Sequence, residues 1–450
     1  MEYPGTRFTR PWRLAFLSLF IIAFLIISPA LVLYSSGYRY DFKNGIIQET
    51  GAISIDIMPK NASAYLNDAK LKSKVPIRLK NLARGKYKIK LTADGYYDWE
   101  KEVVVENKQT VYIKEIKLIK KSEAQKISDN NVKIISLSKN DEYLIYQTHD
   151  NPSLFWLRNI NSDTEMQFVT GTLNKSYQIN WSNKNNNYAT IVSDDLGEIY
   201  VINASDPTKH WNLSKLEKNV ITKVQWNNTT QPELFYSTKN QLMVINPATK
   251  QKSLIGKNIF FDWFVDGGQI WTLQNNTSTD QINIVKDTFG FSKIINQVNK
   301  LPNVDNKYLN WQIVKTMDNQ VLLKKSEISE MTLVDQEKHF TFFGDEMLSS
   351  NFNNWWIMWT PWEITTYSQG EEPFLLNRSG EQLKKVLVLD EFNTLGLIWA
   401  DKMTALFPYY FVSHNLLNFK INDAVANTSK RELYFGANLN NQNGLWKIQY

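Results

Sequence analysis

The chain of 450 residues contains no cysteine and only four histidines. The absence of cysteine excludes disulfide bonds, thiolate metal sites, iron–sulfur clusters and a cysteine nucleophile together. The histidines lie far apart and outside the short spacings that bring two ring nitrogens to one metal; they are His149, His210, His339 and His414. The sequence therefore offers no motif for a metal site or a histidine-based catalytic triad, and we expect no cofactor.

Positive charge is concentrated in the first quarter of the chain. Residues 1–120 hold 20 lysines and arginines against 11 acidic residues, whereas residues 121–450 have a net charge of −3. A nucleic-acid-binding protein carries its basic residues as a stripe or groove on its main domain. The distribution therefore argues against nucleic acid as a partner, although the whole chain has a net charge of +6.

The run from Leu14 to Leu33 contains twenty residues and no charge. As a helix it would be about 30 Å long, which is the thickness of the hydrocarbon core of a bilayer. Arg7, Arg10 and Arg13 precede the run, and basic residues favour the cytoplasmic side of a membrane. We predict a cytoplasmic tail over 1–13, one transmembrane helix over 14–34 and an extracytoplasmic bulk, which makes the chain a single-pass protein of the cell membrane.

A cleaved signal peptide is the alternative interpretation of the same run. Ser28-Pro29-Ala30 offers the small residues that a signal peptidase recognises. The proline within that site and the apolar Leu31-Val32-Leu33 after it both argue against cleavage. The uncleaved anchor is therefore the favoured interpretation, and both interpretations place the bulk of the chain outside the cytoplasm.

A small β-module over residues 51–120 follows a predicted linker over residues 35–50. Ile53, Ile55 and Ile57 alternate with other residues, which is the pattern of a strand with one buried face. About six such short strands, separated by turn residues, predict a small β-sandwich. Its net charge of +6 over residues 44–120 has two interpretations. The lysines attract an anionic leaflet or wall polymer, or they lie on a solvated strand face and prevent edge pairing.

The order of these strands and turns resembles the PEGA domain, a small extracytoplasmic β-sandwich of envelope proteins. The family's Pro-Glu-Gly-Ala is replaced here by Pro59-Lys60-Asn61-Ala62, while the later turn positions agree with the family. The resemblance implies a surface module without catalytic residues. It rests on the segment from Met58 to Asn67, on Val75-Pro76, on Gly85-Lys86-Tyr87 and on Gly95-Tyr96-Tyr97.

Residues 125–450 repeat one pattern of short apolar strands, polar loops and tight turns. Four short strands per unit, at a period near forty residues, are typical of β-propeller blades. Eight strand pairs favour eight blades, with seven as the alternative, and we expect the ring to close by pairing its first and last strands. The pairs lie at 143–157, 188–202, 233–245, 269–285, 320–334, 354–367, 395–407 and 432–449.

Tryptophans recur on the strands of this repeat, and we interpret them as residues that pack between blades. They are Trp181, Trp226, Trp263 and Trp311. The segment from Trp181 to Tyr188 resembles the Trp-Ser-Pro-Asp-Gly-Lys turn of Tol-type bacterial propellers, without its proline and glycine. The predicted fold class is therefore an all-β ectodomain, with a small sandwich and a WD-like propeller of seven or eight blades, behind one transmembrane helix.

The densest aromatic stretch runs from Trp355 to Trp362. Strand alternation sends Trp355, Ile357 and Trp359 to one face and Trp356 and Met358 to the other. All of them are core residues if both faces of the blade are buried. At the mouth of the ring, Trp359 and Trp362 would instead stack on a sugar or on a partner's side chain, and they are the candidate ligand-binding residues.

These observations predict a non-enzymatic, membrane-anchored scaffold whose propeller binds a protein or a cell-wall polymer. The alternative is an extracytoplasmic glycan hydrolase with two carboxylates in the propeller channel, although no pair is singled out by spacing. The nearest acidic cluster, Asp194-Asp195, lies between two predicted strands, where a hairpin turn already requires such residues.

Overall fold

The computed structural model describes residues 10–41, 45–172, 175–257, 261–288, 290–301, 310–325, 329–336, 338–344, 346–350 and 355–450. Residues 1–9 of the predicted cytoplasmic tail lie outside these ranges. The chain divides into two compact units, Met1–Lys121 and Ser122–Tyr450.

The first unit begins with an apolar helix, α1 (Arg10–Ser35), which has 26 residues and no buried side chain. At 1.5 Å per residue it is about 39 Å long. Its length and composition suit either a membrane span or a signal sequence. α1 contains Pro29, as expected for a spanning helix that tolerates a proline.

Two four-stranded sheets follow α1 and form the predicted sandwich, with eight strands rather than about six. One sheet contains β1, β2, β5 and β8, and the other has the order β4-β3-β6-β7. β2 pairs antiparallel with β1 and β5 and parallel with β8. The strands are β1 (Tyr38–Asp41), β2 (Ile46–Met58), β3 (Ser63–Leu66), β4 (Ala69–Lys70), β5 (Ile77–Ala83), β6 (Gly85–Thr92), β7 (Trp99–Val105) and β8 (Thr110–Lys117).

The segment 35–50 is not the linker that the sequence analysis predicts. It contains β1 and the beginning of β2, which pair antiparallel from Tyr38 opposite Glu49 to Asp41 opposite Ile46. Residues 42–44 of this segment lie outside the described ranges. The sequence pattern of this segment lacks the alternation of a strand with one buried face, because Tyr40, Ile46 and Ile47 are exposed.

The alternating residues of β2 are buried as predicted, because Ile53, Ile55 and Ile57 are at most 2% exposed. On the solvated face of the other sheet, lysines of β6 pair with acidic residues of β7. The N–O distances are 3.0 Å for Lys86–Glu102 and 3.3 Å for Lys88–Glu100. The lysines of this strand are therefore engaged within the sheet, which agrees with the interpretation of a solvated strand face.

Within the described ranges, the second unit contains eight four-stranded antiparallel sheets, blades 1 to 8, which confirm a propeller and give eight blades. Seven blades use four consecutive strands each. Blade 1 has β10 (Val132–Leu137), β11 (Tyr143–Thr148), β12 (Leu154–Asn159) and β13 (Thr164–Thr170); blade 2 has β14 (Tyr177–Trp181), β15 (Tyr188–Ser193), β16 (Ile199–Asn203) and β17 (Trp211–Asn212); blade 3 has β18 (Ile221–Trp226), β19 (Leu234–Thr238), β20 (Gln241–Ile245) and β21 (Lys252–Lys257); blade 4 has β22 (Asp262–Asp266), β23 (Gln269–Asn275), β24 (Gln281–Thr288) and β25 (Phe291–Asn299).

Blade 5 has β26 (Trp311–Met317), β27 (Gln320–Lys325), β28 (Glu330–Asp335) and β29 (Lys338–Phe343); blade 6 has β30 (Glu346–Ser350), β31 (Trp355–Trp359), β32 (Glu363–Tyr367) and β33 (Phe374–Arg378); blade 7 has β34 (Lys385–Val388), β35 (Leu395–Ile398), β36 (Met403–Phe407) and β37 (Val412–Leu417). Blade 8 has β38 (Ile421–Asn427), β39 (Glu432–Leu439) and β40 (Gln442–Gln449), with β9 (Gln125–Ser128) as its fourth strand. A 3-10 turn (Pro207–Lys209) and α2 (Leu213–Leu216) interrupt blade 2 and its connection to blade 3.

The ring closes as predicted, because the first strand of the unit pairs with the last. β9 lies antiparallel to β40, with Gln125 opposite Lys447 and Ser128 opposite Leu445. Blade 8 also contacts blade 1 closely: a Cβ atom on Gly436 would lie 2.8 Å from the carbonyl oxygen of Val132. A side chain at position 436 would therefore force the two blades apart.

Seven clusters of buried apolar side chains each join two neighbouring blades. The recurring tryptophans pack in these clusters, which confirms their predicted role. Trp226 of blade 3, for example, lies among side chains of blade 2, and its indole N–H donates to the carbonyl oxygen of Asn180 at 3.1 Å. The others are Trp181 between blades 1 and 2, Trp263 between blades 3 and 4, and Trp311 between blades 4 and 5.

A charged clamp joins the first strands of blades 3, 4 and 5. Lys223 Nζ of blade 3 lies 2.8 and 2.9 Å from the two carboxylate oxygens of Asp262 in blade 4 and also donates to the carbonyl oxygen of Trp263. Asp262 Oδ2 in turn accepts the backbone N–H of Ile313 in blade 5 at 2.7 Å. One carboxylate therefore holds three blades together.

The same clamp recurs on the other side of the ring, four blades farther on. Lys385 Nζ of blade 7 donates to Asp423 Oδ1 of blade 8 at 2.6 Å and to the carbonyl oxygen of Ala424. Asp423 Oδ2 accepts the backbone N–H of Ile135 in blade 1 at 3.0 Å. The two clamps, which we name the Asp262 clamp and the Asp423 clamp, give the ring an approximate twofold repeat, and the second one spans the closure.

Candidate functional site

The aromatic strand β31 has both of its faces buried, because it lies inside a blade between two neighbours. Ile357 and Trp359 pack against side chains of blade 7, whereas Trp356 and Met358 pack against blade 5. The predicted alternation is therefore confirmed. Trp359 is only 6% exposed, which favours the core alternative for this residue, and its contact with a ligand stays a prediction.

Trp362, the second candidate ligand-binding residue, is 53% exposed. It lies in the turn between β31 and β32, where its backbone N–H donates to Thr360 Oγ1 at 3.1 Å. Its carbonyl oxygen accepts the N–H of Ser379 at 2.9 Å. These bonds fix the turn and leave the indole in solvent, so the ligand contact of Trp362 remains a prediction.

A separate group of four aromatic rings, three exposed and one half-buried, joins blades 6 and 7 at the end of the blades opposite to Trp362. Phe374 and Phe411 are 51% and 53% exposed, and their ring centres lie 5.9 Å apart. Beside them, the rings of Trp355 and Tyr409 lie 5.0 Å apart. We name these four residues the aromatic surface.

The sheet topology explains why the aromatic surface forms. Trp355 and Phe374 are the first residues of β31 and β33, which run in the same direction because the antiparallel β32 separates them. Tyr409 and Phe411 lie in the turn between β36 and β37 of the next blade, at the same end of the ring. Trp355 and Tyr409, which are 54 positions apart in sequence, are thereby brought together. A local sequence pattern cannot predict such a contact.

The first strands of the blades enclose two adjoining cavities of about 340 and 1150 Å³, which share residues of blades 2, 3 and 5. Amide side chains such as Gln178 line both. Lys139 lines the smaller cavity and keeps an exposed side chain. Partial desolvation, together with the nearby Lys315 ammonium, lowers the pKa of Lys139 below its ordinary value, while Asp266 acts in the opposite direction. The channel is therefore a polar space that contains several lysines.

The hydrolase alternative requires two carboxylates in the channel at the spacing of a glycosidase. Asp262 and Asp266 lie four residues apart on β22, which is about 13 Å along a strand, whereas the two carboxyl groups of a glycosidase lie about 5 to 9.5 Å apart. Asp262 is also held by Lys223 and by the N–H of Ile313. No specific observation in the described channel favours the hydrolase, which stays a prediction.

Asp195 belongs to a hairpin turn, as the sequence analysis predicts for Asp194-Asp195. Its carboxylate accepts hydrogen bonds from Ser193 Oγ at 2.6 Å and from the N–H of Gly197 at 3.0 Å, and it pairs with Lys175 at 2.9 Å. These contacts hold the pKa of Asp195 below its ordinary value. Within the described ranges, no group of three or more His, Asp or Glu residues is arranged to hold a metal ion.

The fold defines a β protein in which a sandwich precedes an eight-bladed propeller. Residues 50–120 match the PEGA domain family, which confirms the predicted resemblance for the sandwich. No curated protein sequence matches the chain.

Solved structures similar to this chain at low sequence identity include propeller domains. Saccharomyces cerevisiae Sqt1 is 11% identical, with 72% of this chain and 97% of that chain covered and a TM-score of 0.46. The Dos1 propeller is 10% identical, with coverage of 74% and 95% and a TM-score of 0.45. The propeller domain of Myceliophteria thermophila Cps50 (Swd1) is 7% identical, with coverage of 73% and 100% and a TM-score of 0.40.

Proposed function

We propose that this chain is a membrane-anchored extracytoplasmic scaffold whose propeller binds a protein or an envelope-polymer partner through the aromatic surface. α1 is the single-pass anchor, with its N-terminus in the cytoplasm, and the PEGA-like sandwich over residues 51–120 connects the anchor to the propeller over residues 125–450. The boundaries predicted from the sequence are kept in this proposal, except that strands occupy the segment 35–50.

The observation that supports this proposal is the aromatic surface at the boundary of blades 6 and 7. Phenylalanine side chains are usually buried, and single exposed ones are unremarkable, but two touching pairs across a blade boundary form a contiguous apolar patch. Aromatic side chains of this kind dominate the affinity of interfaces when a partner covers them. They also stack on the apolar faces of sugars, so both proposed partner classes fit the chemistry.

The proposal predicts that the full chain, reconstituted in nanodiscs, co-sediments with isolated envelope material of its source organism. The double variant Phe374→Ser/Phe411→Ser should bind with a Kd at least about 30-fold higher, since one interface hot spot is worth about 2 kcal/mol. Binding isotherms at low and at high salt measure the effect. Phe291→Ser, which changes an exposed phenylalanine on the outer strand of blade 4, is the matched control and should leave the Kd unchanged.

The arms of this experiment separate the partner classes. Binding that survives high salt but is lost after protease treatment of the envelope material identifies a protein partner, and binding that survives both identifies a polymer. Binding that disappears at high salt is electrostatic and places the contact on the basic sandwich. Equal Kd values for the double variant and for Phe291→Ser would refute the role of the aromatic surface.

A further inference from the structure

One arginine holds the end of α1 against the first hairpin of the sandwich. Only Ser36 and Gly37 separate α1 from β1. The Arg39 guanidinium donates to the carbonyl oxygen of Tyr34 at 2.6 Å and, through Nε, to Asn81 Oδ1 at 2.8 Å. It also lies 3.7 Å from the centre of the Tyr34 ring. Because Asn81 belongs to β5, Arg39 connects the last turn of α1 directly to the sandwich.

The hairpin of β1 and β2 exposes apolar side chains on both of its faces. Tyr40 is paired with Ile47, so the two side chains share a face, whereas Ile46 points to the opposite face. Ile46 and Ile47 are 52% and 56% exposed, and Tyr40 is exposed as well. Over residues 46–49, β2 pairs with β1 alone, since β5 and β8 join it only from Thr50 onwards, and a two-stranded ribbon with exposed apolar side chains gains little stability in water. The hairpin is therefore expected to be more stable in surroundings that are less polar than water.

The polarity of β2 changes over a short distance beyond these residues. Glu49 forms an ion pair with Lys108 at 2.7 Å, and the ammonium of Lys108 lies 4.9 Å from the centre of the Tyr38 ring. The next residue, Thr50, is buried and donates to the carbonyl oxygen of Gly37 at 2.9 Å. At about 3.4 Å per residue, the apolar part ends within about 7 Å, comparable with the depth of about 5 to 10 Å at which amphipathic elements lie in a bilayer interface.

We propose that the β1–β2 hairpin lies in the interfacial layer of the extracytoplasmic leaflet, with Ile46, Ile47 and Tyr40 in contact with lipid. The inference rests on the proposed membrane anchoring by α1. Lipid is the occupant because the exposed apolar helix α1 ends only two residues before β1 and its Tyr34 contacts Arg39 of that strand, and because tyrosines concentrate at this level of a bilayer. The sandwich is then attached to the membrane at two places, the helix and the hairpin, which restricts its rotation about α1.

The absence of cysteine from the chain permits a direct test with single labels. The variants Ile47→Cys in the hairpin, Phe24→Cys in α1 and Val104→Cys on the exposed face of β7 are each labelled with an NBD fluorophore. The full chain is reconstituted in vesicles of phosphatidylcholine and phosphatidylglycerol. We expect the label at position 47 to emit at shorter wavelength than the label at 104, to be quenched by headgroup-proximal spin-labelled lipid, and to have a several-fold lower Stern–Volmer constant for aqueous iodide.

The label at position 24 separates the failure of this inference from the failure of the anchor. The hairpin proposal is overturned, and the anchor is kept, if iodide cannot reach the label at position 24 but reaches the label at position 47 as easily as the label at position 104. A label at 24 that is accessible to iodide overturns both. Shielding of position 47 from iodide without quenching by spin-labelled lipid indicates a second copy of the chain as the occupant, and this also overturns the proposal.

A second variant tests whether the apolar side chains hold the hairpin in the interface. Ile46→Asp is combined with the label at position 47, because a carboxylate next to the label opposes transfer into the interface. We expect the emission to shift to longer wavelength and iodide accessibility to rise to the value at position 104. Unchanged shielding in this variant would mean that the isoleucines do not determine the position of the hairpin.

Discussion

Replacement of Trp359 by alanine is expected to lower the free energy of unfolding by about 3–5 kcal/mol, the usual cost of removing a buried tryptophan. The side chain lies in a cluster shared by blades 6 and 7, among residues such as Leu376 and Trp399. The resulting cavity would open at a blade boundary, so both blades lose contacts. Urea titration of the full chain in detergent, followed by circular dichroism, measures the change.

The control for this prediction is Trp362→Ala, three residues farther on. The same substitution at an exposed side chain should change the free energy of unfolding by less than about 0.5 kcal/mol. If Trp362 makes the predicted ligand contact, Trp362→Ala should instead raise the Kd measured in the binding isotherms. Similar losses of stability in the two variants would contradict the assignment of Trp359 to the core and of Trp362 to the surface.

Removal of the carboxylate from either clamp is also expected to lower the free energy of unfolding by several kcal/mol. Asp262→Ala removes the counter-charge of the Lys223 ammonium, which keeps only the carbonyl oxygen of Trp263 as an acceptor, and it removes the acceptor of the Ile313 N–H. Breaking a buried ion pair costs about 3–5 kcal/mol, and because the Lys223 side chain keeps 28% of its exposure we expect about 2–4 kcal/mol. Asp423→Ala should have a similar effect on the other side of the ring. Urea titration again measures the loss.

The clamps also make a prediction about additivity. Because the Asp262 clamp and the Asp423 clamp share no residue and lie four blades apart, the double variant should lose the sum of the two single losses within about 0.5 kcal/mol. Asp280→Ala, which removes a surface ion pair with Lys300, is the matched control and should cost at most about 1 kcal/mol. A clamp variant as stable as this control would show that the ion pairs do not hold the blades together.

The repeated blades could be predicted from the sequence because their central strands carry local signals. Each predicted pair, such as 188–202 or 395–407, corresponds to the second and third strands of one blade, which are joined by short turns. The second strands are buried over most of their length, as in β15 and β35, and their short apolar runs are recognisable without knowledge of their neighbours. The sandwich was recognisable for the same reason, with the added turn residues of its family.

Features that depend on distant residues could not be predicted. The β9 strand has four residues and pairs with residues more than 300 positions later, so nothing in Gln125–Ser128 identifies it as the strand that closes the ring. The Lys223–Asp262 and Lys385–Asp423 pairs are 39 and 38 residues apart, one blade period, and each resembles an ordinary surface charge. The aromatic surface arises only where strand ends of blade 6 meet a turn of blade 7, so no local pattern marks it, and the ligand contacts of Trp359 and Trp362 remain predictions.

The position of β9 has a mechanical consequence. In the proposed scaffold, a pull between the membrane anchor and a bound partner would enter the propeller through β9, because this strand directly follows the segment that leads from the sandwich. Its resistance consists of the short ladder with β40, reinforced by Ser128 and Asn130, which both donate to Glu165 of blade 1. The strand that completes the ring is thus also the point at which tension is applied, so under load blade 8 would be the first to open while the seven consecutive blades stay folded.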